Sequence, residues 1–181
     1  LLKSTTTTTE NKVQIKKHKH TSDITFGKTS KRILKINHEH YKKMYDLWSL
    51  YNEDKKGDEL FLDELYMMLS RYHTIQGHGF QAACPEKVFE FLHERLDVNF
   101  ECFASPCNTF FGQYCSAFLD VDYAFGSSGS FWNWNPPKEG GSFQANPPFV
   151  AAVMKKMAEK IEKILSDGRA EAISFVVIVP G

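Results

Sequence analysis

The sequence has no surplus of charge of either sign: 22 Lys and Arg stand against 22 Asp and Glu in 181 residues. Net charge therefore gives no general attraction to a polyanion, and any basic surface must be local. Cysteine is scarce. Cys84, Cys102, Cys107 and Cys115 form no CxxC pair and no metal-finger spacing. That excludes a zinc finger and argues for a reducing compartment over a disulfide scaffold. No apolar run approaches the roughly 18 residues that a bilayer span requires, and no secretory leader is expected. The Gly-rich phosphate fingerprint of dinucleotide folds is missing too. The chain starts on Leu1 and stops at Gly181 just after an apolar run, so it is expected to be part of a longer protein.

What is present suffices for a core: 42% of residues are hydrophobic, with 15 Phe and 3 Trp. Residues 1–36 are polar, with a Thr run (Thr5 to Thr9) and the cluster Lys16-Lys17-His18-Lys19-His20. They are expected to be a flexible segment, or a basic arm for phosphates. His18 and His20 alone are too few for a metal site, and no metal is expected. Residues 37–97 read as a small helical domain. Asn37 is a candidate N-cap for a helix carrying Tyr41, Met44, Leu47 and Trp48. Leu62, Leu65, Met68 and Leu69 repeat at helical spacing, and Pro85 opens a third helix.

From residue 98 to 181 the pattern changes to α/β. Val98 to Phe103 reads as a buried strand, and residues 109–117 as a helix or a turn. Ala117 to Val121 reads as a short second strand, and 123–145 as a loop ending in a short strand at Ser142 to Ala145. Val150 to Leu165 reads as an amphipathic helix, and Ile173 to Val179 as a strand of the kind buried in a parallel sheet.

The segment Asn146-Pro147-Pro148-Phe149 stands directly before that helix. An adenine N6 amine is a poor nucleophile because its lone pair is delocalised into the ring. An Asn side-chain oxygen and the carbonyl of the first Pro can accept its two N–H groups and draw the nitrogen toward tetrahedral geometry. The Pro pair fixes the backbone, and the aromatic residue offers a stacking face. A Pro-rich turn before a helix would look the same, and Asn135-Pro136-Pro137-Lys138 repeats the tripeptide without the aromatic. Phe103, Ala104, Ser105, Pro106 and Asn108 follow the first strand, where small residues allow close approach of a cofactor. Asp120 and Asp122, about 20 positions on, are candidates for ribose hydroxyls or are solvated loop carboxylates.

Taken together, Asn99 to Asp122 (NFECFASPCNTFFGQYCSAFLDVD), Phe125-Gly126-Ser127, Gly129-Ser130-Phe131 and Gly141 to Phe149 (GSFQANPPF) resemble the phosphorylated-CTD-interacting factor family of cap-specific adenosine N6-methyltransferases. The resemblance is clear over residues 85–181 and looser over 37–84. It implies a Rossmann-like methyltransferase domain, incomplete at its C-terminus here, behind the helical domain. It implies S-adenosylmethionine as donor and, as acceptor, the 2′-O-methyladenosine next to the mRNA cap. Asn146, Pro147, Pro148 and Phe149 would then lie at the target adenine. The cofactor would meet Phe103, Ala104, Ser105, Pro106, Asn108, Asp122, Asn146 and Phe149. Lys31, Arg32 and Lys35 become weak candidates for RNA phosphate contact. Contact with the RNA polymerase II C-terminal domain is expected through regions outside these residues, and a nuclear location follows from the substrate.

The sequence departs from the family pattern at Val150, Ala151 and Ala152, where acidic residues are usual, and at Gln144, where Glu is usual. Two alternatives stand beside the lead reading. One is a catalytically inactive domain that binds RNA or a protein; the other is a protein glutamine N5-methyltransferase, since the motif suits any planar amide-like nitrogen.

Overall fold

The computed structural model describes residues 12–27, 32–54, 57–75, 84–168 and 172–180. The architecture is mixed α/β, with five helices and two three-stranded sheets among the described residues. The chain divides into two compact units, Leu1–Gln76 and Gly77–Gly181.

The first unit corrects the expectation of a flexible segment before residue 37. Strands β1 (Val13–Lys17), β2 (Thr21–Phe26) and β3 (Leu34–Asn37) form an antiparallel sheet in the order β1-β2-β3. Its residues alternate with period two, which is how a polar stretch can still carry a buried face. Ile24, Leu34 and Ile36 point inward and are buried. The cluster expected as a basic arm is the end of β1 and its hairpin turn, closed by His18 N–H donating to the Thr21 carbonyl at 2.8 Å. His18 Nε2 lies 2.9 Å from Asp23 Oδ2. The Thr5 to Thr9 run and Lys31 lie outside the described residues.

Helix α1 (His38–Tyr51) starts where expected, since Asn37 Oδ1 accepts the His40 N–H at 2.7 Å. Helix α2 (Asp58–Ile75) buries Phe61, Leu65 and Met68, and α1 buries Met44, Leu47 and Trp48. The Phe61 ring takes the edge-on partners Tyr41 and Tyr45, with centroids 5.5 and 5.1 Å away. Methionine and aromatic stripes here are core.

The second unit begins before α3 (Glu86–Leu96), so the third helix belongs with the parallel sheet rather than with a helical domain running to residue 97. Asp97, in the left-handed region at φ 52°, ends α3, and its N–H donates to the His93 carbonyl. Strands β4 (Val98–Glu101), β5 (Gly141–Ala145) and β6 (Ile173–Val177) follow, all parallel, in the order β4-β5-β6. Helix α5 (Ala151–Ser166) makes the crossover from β5 to β6. The second strand expected at Ala117 to Val121 is instead a helical turn, α4 (Leu119–Asp122). Strand pairing moves upstream to Tyr114, which bridges Glu101 on one side and Ser127 on the other, both in parallel. Burial decides this: Tyr114 is fully buried, whereas Leu119 is 48% exposed.

Counting those bridges, the sheet reads Ser127, Tyr114, β4, β5, β6 across its width. The chain leaves β4, steps outward twice, then returns to the opposite side of β4 as β5. The strand order therefore reverses between β4 and β5. One sheet face aligns Phe100, Phe143 and Phe175 in register. Met157 and Ile161 of α5 and the half-buried Trp134 pack with these rings. The other face carries the register pair Glu101 and Gln144, both buried.

Candidate functional site

A strand-order reversal leaves a crevice at the carboxyl ends of the two strands, because the connections leave in opposite directions. Here the chain leaving β4 is Cys102-Phe103-Ala104-Ser105-Pro106, and the chain leaving β5 is Asn146-Pro147-Pro148-Phe149. Sequence reasoning singled out both segments, and the topology brings them to the same end of the sheet. A cleft of about 230 Å³ opens there. Its walls are Cys102, Phe103 and Ala104 after β4; Cys115, Ser116 and Ala117 after the Tyr114 bridge; Ser130, Phe131 and Trp132; and Pro148 with Val153.

Phe103, Ala104 and Pro148 lie in the cleft wall. Ser105 and Pro106 lie beneath it, both buried. Asn108 is exposed, and its Oδ1 accepts from Ser105 N–H at 2.7 Å and Ser105 Oγ at 2.8 Å. It closes a turn rather than facing the cleft. Asp122 is fully buried in α4, outside the cleft wall. Its short helix replaces the strand end that would have aimed it at a ribose. Asp120 is exposed. Pro147 is buried, Phe149 half-buried, and the Asn146 Oδ1 atom buried. The Pro148 carbonyl accepts the Val150 N–H at 2.7 Å and the Val150 carbonyl accepts from Val153 and Met154, so the Pro pair passes straight into α5. In the first unit, Arg32 and Lys35 are exposed, and Lys35 stands opposite Asp23 in the sheet.

Sequence reasoning gave no site role to Cys115, Ser116, Ala117, Ser130, Phe131, Trp132 or Val153. All but Val153, which lies in α5, follow the bridged positions Tyr114 and Ser127, a signal that stayed hidden while the second strand was placed too late. It also missed Glu101. This buried carboxylate accepts from Thr109 Oγ1 at 2.6 Å, Phe110 N–H at 2.7 Å and Phe111 N–H at 3.1 Å. It fixes the loop that returns from the β4 end, and the loop's Phe110 stacks on Phe89 of α3 at 5.0 Å. Gln144 sits in register with Glu101. An amide there sets a neutral group beside a buried charge, where a second carboxylate would repel it.

Two thiols line the cleft on neighbouring strands. Burial pushes the Cys115 thiol up to about 12, with the Lys160 charge acting weakly the other way. Burial, then Cys115 and Glu101, push Cys102 up as well. Both stay protonated at neutral pH. A cleft of this kind suits an electrophilic ligand, because the wall offers no thiolate to attack it. Its small residues, Ala104, Ser116 and Ala117, admit a ligand close to the backbone, and its aromatic residues offer flat faces. Among the described residues no group of three or more His, Cys, Asp or Glu could hold a metal ion, and no helix is long and apolar enough to cross a membrane.

The fold and cleft define a mixed α/β protein with a crevice at the reversal point of a parallel sheet. The profile of the phosphorylated CTD interacting factor 1 WW domain family matches residues 40–181, from within α1 to the end of the chain. The chain belongs to that family. It is 40% identical over 154 residues to the mouse mRNA (2'-O-methyladenosine-N(6)-)-methyltransferase and 38% identical over the same length to the human protein of that name. Each match covers 82% of this chain and 21% of the relative. The chain therefore spans about a fifth of the length of the curated relatives it matches.

Proposed function

We propose that the cleft holds S-adenosylmethionine in a Rossmann-like methyltransferase domain, and that the protein methylates the N6 of adenosine in RNA. The acceptor in this reading is the 2′-O-methyladenosine next to the mRNA cap, and the setting is the nucleus. The observation that carries it is the exit of Asn146-Pro147-Pro148-Phe149 from β5 at the strand-order reversal, with Pro148 in the cleft wall. The names of the mouse and human relatives support the same chemistry.

The cofactor supplies an electrophilic methyl group on a sulfonium; the chain's task is positioning. Asn146 Oδ1 accepts one N–H of the adenine amine and the Pro147 carbonyl accepts the other. The Pro148 carbonyl is already used by Val150, so the first Pro of the pair is the acceptor. The rigid Pro pair holds both acceptors before substrate arrives, which removes reorganisation from the barrier. Phe149 stacks on the base and helps keep it out of its own strand. Phe103 and Phe131 would hold the adenosyl moiety, and the protonated Cys102 and Cys115 would not compete for the methyl group. No residue is needed as a general base, because the proton leaves to solvent after transfer. Contact with the RNA polymerase II C-terminal domain runs through regions outside this chain.

One observation favours a second reading, a domain that binds RNA without catalysis. Ala151 and Ala152 are exposed in the first turn of α5, which holds no acidic residue. The full-length protein with labelled S-adenosylmethionine separates the two. Label should enter N6 of a capped RNA starting with 2′-O-methyladenosine. Asn146→Ala should lower the rate by about 10²- to 10³-fold, the size of losing one preorganised hydrogen-bond partner. Equal label on uncapped RNA keeps the chemistry and removes the cap. No label on either RNA, with cofactor unbound, leaves the binding domain.

A further inference from the structure

Helix α5 distributes its lysines unevenly. Lys156, Lys160 and Lys163 are spaced i, i+4 and i+7, so they line one flank over about 10 Å of helix axis. That flank adjoins the cleft. Lys156 Nζ stands 4.5 Å from the centroid of the Trp132 ring, and Trp132 is part of the cleft wall. Lys160 Nζ donates to Asn135 Oδ1 at 3.4 Å. The helix has two acidic residues, and one of them, Glu159, borders the row at i+3 from Lys156 and i−4 from Lys163. Glu159 pairs with Lys155 at 3.9 Å, and Glu162 borders the other flank with Leu165 and Val177.

This row costs something in the free protein. The Lys160 ammonium is pushed below the ordinary lysine value by burial first and by the Lys163 charge second. Anions would relieve that crowding, and a chain of phosphates offers several at once. These 181 residues have no net charge, so such a local row is the kind of surface through which they can meet a polyanion.

We propose that Lys156, Lys160 and Lys163 form the track for the RNA strand adjoining the target nucleotide, leading it past Trp132 into the cleft. A base stacks on Trp132 in place of the Lys156 ammonium, which moves to the phosphate of the same nucleotide. The track rests on the RNA-methyltransferase reading and adds to it the path of the strand.

The test measures anisotropy of a labelled, capped ten-nucleotide RNA on the full-length protein at several salt concentrations. In K156Q/K160Q/K163Q the slope of log affinity against log salt should fall by about 2, since each phosphate contact on a single strand contributes about 0.7. The K156R/K160R/K163R variant should keep the slope. Circular dichroism checks folding. If the triple Gln variant unfolds, K156Q and K163Q, both at exposed positions, are measured singly, each expected to lose about 0.7. An unchanged slope in folded Gln variants overturns the track, and so does a wild-type affinity that ignores salt. Methyl transfer by the wild type is read in parallel. Lysine-dependent binding without transfer keeps the track and removes the catalytic reading, while transfer with an unchanged slope does the reverse.

Discussion

Cys102 and Cys115 show how single side chains can suit the proposed reaction without taking part in it. A sulfonium methyl is attacked by thiolates, so two cysteines in a methyl-donor cleft are tolerable only while protonated. Burial keeps them so. The consequence for stability has a definite sign. Their folded values lie above the ordinary thiol value, so the contribution is complete below about 8.5 and is lost as pH rises toward about 12 for Cys115. Iodoacetamide at pH 8 should label the half-buried Cys107 well before Cys102 or Cys115, by roughly tenfold or more in rate. Mass spectrometry of the peptides reads this directly. Fast labelling of Cys115 in the folded protein would mean the cleft is wetter and the thiolate more available than the structure allows.

Among the elements, the start of β5 has the tightest backbone constraint. Gly140 has φ +79°, and a Cβ added there would stand 2.1 Å from the Ala172 carbonyl oxygen. That carbonyl already accepts the Gly141 N–H at 2.8 Å, the bond that brings the approach to β6 alongside β5. Gly140→Ala combines a strained φ with a backbone clash, so it should cost about 2 kcal/mol or more, seen as a lower urea midpoint with unchanged slope. A neutral outcome would mean that the β5–β6 register is not held here. The sequence did not mark Gly140, because its role comes from a neighbour 32 positions away. The same limit explains the other misses. Helix α1 with its Asn37 cap and α5 were legible because a cap or a repeated apolar spacing is local; β6 forms where its apolar run lies, but it ends the order β4-β5-β6 and none of its residues is buried, contrary to the expected burial. The β1–β3 sheet was not, because Gln, Lys, Asp and Thr occupy its outward positions and hide the alternation of Ile15, Ile24, Leu34 and Ile36. In the site, Asn146 to Phe149 and Phe103 to Pro106 were legible as strand exits. Asn108 and Asp122 were misplaced because a side chain's target depends on the turn that follows its strand, and that turn was read as another element.

At the scale of the whole chain, the three Trp residues among these 181 divide between the units: Trp48 lies in the first, and Trp132 and Trp134 in the second. Each unit can therefore report separately. In the 181-residue chain by itself, a Trp48→Phe variant confines indole fluorescence to the unit that holds the cleft. A ligand that binds only the folded state stabilises it by about 2.7 kcal/mol at a hundred times its dissociation constant. For a unit of roughly a hundred residues that raises the thermal midpoint by about 10 °C or more. With saturating S-adenosylmethionine, the Trp48→Phe protein should show this rise, together with an altered emission from Trp132 in the cleft wall. The complementary Trp132→Phe/Trp134→Phe variant tracks the first unit through Trp48. A rise seen only through Trp48 would move the cofactor site out of the parallel-sheet unit. No rise through either probe would show that the cleft at the reversal of β4 and β5 does not take S-adenosylmethionine, and the Asn146-Pro147-Pro148-Phe149 turn would lose its donor.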